Sequence, residues 1–89
     1  MTEYHNKPFV LTTANVQDVM IALYCSEINC GIQSFWDGGW TVWLGDDMNG
    51  RVCEESDMKM SELPSWLHRK ACEHYPHSVY AEASRGKNG

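Results

Sequence analysis

Between Ile28 and Leu44 the apolar residues fall on every second position, and the pattern is broken once, by Asp37-Gly38-Gly39. A period of two marks a strand with one buried face, and an Asp-Gly-Gly break between two such runs marks a tight turn. This stretch therefore constrains the fold more than any other, because it specifies an antiparallel hairpin. Ile28, Cys30, Ile32, Ser34 and Trp36 alternate with Asn29, Gly31, Gln33 and Phe35; after the turn, Trp40, Val42 and Leu44 resume the alternation. A two-residue Gly38-Gly39 loop would pair Asp37 with Trp40 and Gln33 with Leu44, mixing polar and apolar residues on one face. A three-residue Asp37-Gly38-Gly39 loop instead pairs Trp36 with Trp40, Ser34 with Val42 and Ile32 with Leu44, which gathers the apolar set. The second register is expected, with Gly39 in the left-handed region that a side chain would resist. It turns Trp36, Trp40, Val42 and Leu44 inward and leaves Phe35, Thr41 and Trp43 outward, with Gln33 beside Trp43.

The flanks read as helices and one more strand. Thr12-Thr13 supplies an N-cap, preceded by the apolar Phe9-Val10-Leu11 as a staple, and Asn15 to Cys25 carries Val16, Val19, Met20, Leu23 and Tyr24 at helical spacing. Gly45 to Gly50 forms a second turn, and Arg51 to Ser56 a third strand with Val52 inward. Ser61 or its neighbour starts a second helix, with Glu62 and Pro64 in its first turn. Leu63, Leu67 and Ala71 form its stripe, Trp66 and Tyr75 flank it, and Pro76 ends it. The expected fold is α+β, a two-layer α-β-β-β-α arrangement: a three-stranded antiparallel meander with both helices on one face. Residues 1–81 are expected to form a single domain and residues 82–89 a flexible C-terminal tail.

At 89 residues the chain has the length of one small domain. Such a domain leaves much surface unburied, so its large aromatics matter to stability; Trp36, Trp40 and Trp66 are read as core. The net charge is -5. Residues 1–50 hold Lys7 against Glu3, Asp18, Glu27, Asp37, Asp46 and Asp47, and the remainder balances. No basic stripe is present to neutralise phosphates, which argues against a nucleic-acid partner. No run of 18 apolar residues and no leader pattern is found, so no membrane partner is expected and the localisation is read as cytoplasmic. The four cysteines are accordingly expected as thiols rather than disulfides.

His68, Cys72, His74 and His77 are the zinc candidates, yet they lack the paired spacing of zinc sites, and helical phasing sets His74 by the Leu63/Leu67 stripe with Cys72 pointing away. Asp46-Asp47-Met48-Asn49-Gly50 gathers oxygen atoms without the EF-hand order, and reads as an acidic turn. No nucleophile elbow, phosphate loop or acid–base carboxylate pair is present. The expectation is a chain with no catalytic residues, no cofactor and no metal. The α-β-β-β-α order is also that of double-stranded RNA-binding domains, but Ser61-Glu62-Leu63-Pro64 stands where those carry a lysine cluster.

Phe35-Trp36-Asp37-Gly38-Gly39-Trp40, followed by Leu44-Gly45-Asp46 and Asn49-Gly50, resembles a set of small bacterial proteins with no assigned activity. The likeness covers about residues 15 to 80 and implies no function. Residues 32 to 75 also resemble HicB-like antitoxins in their strand–Asp-Gly-Gly-aromatic–strand–Gly–strand–helix order. The chain departs from them in having a helix before the first strand, no Pro-rich Gly-Cys loop and no DNA-binding extension. That resemblance implies an antitoxin partnered by a toxin as the alternative function; a metal- or thiol-dependent enzyme ranks below it. The reading placed first is a non-catalytic protein-interaction domain. Its exposed sheet face, Phe35, Trp43, Gln33 and Thr41, would bind another protein or a second copy in a homodimer.

Overall fold

The computed structural model describes residues 15–88; the Phe9–Leu11 staple and the Thr12-Thr13 cap lie outside the described residues. Helix α1 runs Val16–Cys25 and is capped by Asn15. The Asn15 Oδ1 accepts the Asp18 N–H at 2.9 Å, and its Nδ2 donates to the Asp18 carboxylate at 3.0 Å. Asn15 is thus the cap and not the first helical residue, its short side chain satisfying a backbone donor that the helix cannot. The helix closes with the Glu27 N–H on the Tyr24 carbonyl (3.1 Å) and the Ile28 N–H on the Leu23 carbonyl (2.9 Å). This is the double closure usually built on glycine, here with Glu27 at φ 63°. It turns the chain so that Ile28 is buried beside the helix it leaves.

Strands β1 (Cys30–Phe35), β2 (Gly39–Asp46) and β3 (Gly50–Met58) form one antiparallel sheet in the order β1-β2-β3. The α+β meander is as expected, but its register is not. Phe35 pairs with Gly39, Ser34 with Trp40, Ile32 with Val42 and Cys30 with Leu44. The turn is therefore Trp36-Asp37-Gly38, closed by the Gly38 N–H on the Phe35 carbonyl at 3.0 Å. The inward face is unchanged, because a shift of two residues preserves every side chain's side of the sheet. Trp36 is the exception: it leaves the strand and stands 98% exposed in the turn. The third strand packs against the end of this turn. Gly39 sits at φ +90° with its α-carbon against the Asp57–Met58 backbone, where a Cβ would lie 3.1 Å from the Met58 carbonyl oxygen.

The β2–β3 pairing shifts twice, between Trp40 and Val42 and between Leu44 and Gly45. Cys53 pairs with Leu44 and Arg51 with Gly45, so Val52 is the extra residue of a bulge. The inward position expected for Val52 thus falls to Cys53, which packs on the core, while Val52 is exposed. Gly45 makes the bulge possible: at φ +94°, any Cβ would sit 2.6 Å from the Gly50 carbonyl oxygen.

After a short 3-10 turn, Met60–Glu62, helix α2 spans Leu63–His74. Leu63, Leu67, Ala71 and Trp66 are buried as the stripe requires. With Val19, Ala22, Leu23, Ile28, Val42 and Leu44 they form the core, which places α1 and α2 on one face of the sheet. The tail expected over residues 82–89 is instead largely helix, α3, Val79–Asn88. Ser78 starts it, its Oγ accepting the Ala81 N–H at 3.0 Å and donating to the Tyr75 carbonyl at 2.8 Å. Tyr80 and Ala81 are fully buried. Trp66 and Tyr80, with Trp40 packed alongside, supply the aromatic volume of the core, and Trp36, expected there, does not. No helix among the described residues is long and apolar enough to cross a membrane.

Candidate functional site

The hairpin presents two aromatic features of different character. On the outer sheet face, Trp43 stands opposite Gly31 of β1 and Glu54 of β3. Its indole lies against Gly31, so closely that a Cβ there would collide with ring atoms Cζ2 and Cε2. The Arg51 guanidinium lies over the ring, 3.8 Å from its centroid. Arg51 is itself held by Asp47 (2.9 Å) and Glu54 (3.4 Å). Trp43 does face outward, but contacts within its own molecule leave it only half-exposed. Thr41 is buried at 9% exposure, with its hydroxyl donating to the Ser56 Oγ at 3.2 Å. Gln33 is exposed.

At the tip of the hairpin the arrangement is reversed. Phe35, the last residue of β1, is 45% exposed, and Trp36 follows it in the turn. A tryptophan normally removes more surface from water than almost any other side chain; this one removes next to none. The four residues expected to form the interaction face are thus divided: Phe35 and Gln33 are accessible, Trp43 is half-buried, and Thr41 is buried. Trp36, placed in the core by sequence reasoning, joins the accessible set. Its position immediately before Asp-Gly-Gly was the available signal, since a residue abutting a turn can belong to either the strand or the loop.

The zinc candidates do not come together. The His68 Nδ1 lies 2.7 Å from the Tyr80 hydroxyl, with the two rings edge to face at 5.4 Å. His68 thereby ties α2 to α3. Cys72 packs against the core, whereas His74 and His77 are exposed. The phasing expected for Cys72 and His74 is therefore inverted, because α3 covers the side of α2 on which Cys72 lies. Among the described residues no three His, Cys, Asp or Glu side chains are placed to hold a metal ion.

No disulfide links the cysteines. Burial pushes the Cys30 thiol up to about 11 and raises that of Cys53 as well, so both stay protonated at neutral pH and behave as small apolar groups. The acidic turn is saturated from within. The Asp46 Oδ1 accepts the Met48 and Asn49 N–H groups at 2.9 and 2.7 Å. Its Oδ2 accepts the Asn29 amide at 2.8 Å. These donors, led by the Asn49 N–H, hold its carboxyl below the ordinary 3.8. Together with the Gly45 N–H on the Asn29 carbonyl at 2.7 Å, they staple the α1–β1 connection to the β2–β3 turn.

The chain matches no protein-family model, no curated protein and no solved structure.

Proposed function

We propose that the chain acts by binding another protein through the Phe35–Trp36 tip of the first hairpin, without a catalytic step. The observation that carries this reading is the near-complete exposure of Trp36 beside a half-exposed Phe35. Tryptophan is among the commonest anchors of protein interfaces, and it binds by inserting into a pocket of the partner. The support beneath it is firm: the turn is closed by a backbone hydrogen bond and rests on the third strand. A side chain presented this way enters a pocket with little ordering cost beyond its own two torsions.

Affinity capture from the native host, with wild type and Trp36→Ala in parallel, tests the proposal. The variant is expected to lose the captured partner while its unfolding free energy stays within about 0.5 kcal/mol of wild type, as for an exposed side chain. An identical set of captured proteins from both chains would sink it, and so would a strongly destabilised variant, since Trp36 would then be a folding residue.

A further inference from the structure

The two outer strands of the sheet are built differently. β3 carries Arg51, Glu54, Glu55 and Asp57, and its pairing with β2 shifts register twice. Charges and bulges are the devices by which a sheet keeps an edge from pairing with another chain. β1 has neither. Cys30-Gly31-Ile32-Gln33-Ser34-Phe35 contains no charged residue and no proline, and it pairs in unbroken register. Its six residues are an ordinary strand length, so it is not protected by being short. Every second residue turns its N–H and C=O away from β2, and no strand among the described residues takes them up.

We infer that the β1 edge is a self-association surface, along which a second copy of this chain adds antiparallel about a two-fold axis to make a continuous six-stranded sheet. The charge pattern selects a second copy as the occupant. With a net charge of -5 two copies repel, and they meet at least cost where a charge-free segment faces itself. Ile28 to Trp36 is such a segment, bounded by Glu27 and Asp37. β3 is excluded from the same role, because self-pairing would crowd the Glu54, Glu55 and Asp57 carboxylates of two copies along one seam.

The register follows from the same charges. Opposed residues of an antiparallel pair share a face, so the axis passes through a single position. With Ile32 on the axis, Glu27 would stand opposite Asp37 of the second copy. With Gln33 on the axis, Ile32 meets Ser34, Phe35 meets the small Gly31, and Glu27 and Asp37 fall opposite Gly39 and Asn29. The Gln33 register separates the acids and is the one assigned. This interface uses backbone groups and is read on the purified chain alone, so its failure leaves the proposed Phe35–Trp36 partner site standing.

The test is sedimentation velocity of the full chain between about 1 and 300 µM, the span over which a small interface dissociates. Wild type is expected to pass from monomer to dimer. Gln33→Glu and Gln33→Lys, each placing like charges face to face on the axis at an exposed position, are expected to weaken association ~5-fold or more. Mixed in equal amounts, the two variants are expected to recover a dimer of one copy of each. A wild type that stays monomeric throughout overturns the inference; so do single variants that dimerise as wild type does, and a mixture that gains nothing. Circular dichroism of both variants, matching wild type, keeps a loss of dimer from being read as a loss of fold.

Discussion

Gly31 and Trp43 form the tightest side-chain-to-backbone fit of the outer face. The indole occupies the space above the glycine that any Cβ would fill, and the Arg51 guanidinium lies over the ring. Gly31→Ala must therefore displace the ring or the strand, and overpacking of this kind costs about 1–3 kcal/mol. Urea unfolding at neutral pH measures it; an unchanged midpoint would mean that the ring swings aside freely. The same contact holds Trp43 half-buried despite its place on the outer face. Exposure and orientation are separate properties: a side chain can point away from the core and still be spent on its own fold. Alternation in the sequence reports orientation alone.

The elements differ in how much of them is local. α1 and α2 follow from helical spacing, and Leu63, Leu67 and Ala71 bury as a stripe at i, i+4, i+8 must. The β2–β3 turn depends instead on Asp46, whose carboxylate receives donors from two elements. Its carboxyl is held below 3.8 in the folded chain. The charged form then favours folding above pH 3.8, and that contribution disappears as the pH falls through the lowered folded value. Asp46→Asn is expected to narrow the gap to wild type on acidification: the difference in thermal midpoint is full near neutrality and shrinks below pH 3.8. A difference independent of pH would show that the side chain acts through its hydrogen bonds alone.

For the molecule as a whole, α3 completes the core. Tyr80 is fully buried, and its hydroxyl meets His68 across the α2–α3 junction. Burial pushes the Tyr80 phenol from 10.0 up to about 12, so the neutral ring favours folding. That stabilisation is complete below pH 10 and is lost as the pH rises through about 12. Tyr80→Phe keeps the ring and removes the ionisation. Its stability is expected to lie about 1 kcal/mol below wild type at neutral pH, the net worth of one hydrogen bond. Between pH 10 and 12 it is expected to fall less steeply than wild type. Parallel alkaline profiles, followed by near-ultraviolet circular dichroism, would refute the placement of this phenol in the core. The buried Cys30 thiol, raised to about 11, adds a loss of the same sign in both proteins and cancels in the comparison.

The sequence alone determined which residues face inward on β1 and β2, the stripe of α2, the strand order and the presence of helices on one side. Each of these depends on a period of two or of 3.6, and a period is a property of neighbours along the chain. Tertiary structure decided what periodicity leaves degenerate. Registers two residues apart bury the same face; the one adopted sets Gly39 against β3 and releases Trp36 into the turn. The bulge that exchanges Val52 for Cys53 depends on how Gly45 meets Gly50 across the hairpin. The tail becomes a helix because the core has a place for Tyr80. The accessible aromatic tip follows from the first of these choices: the side of the sheet is fixed by alternation, but the end of the strand is fixed by whatever packs against it.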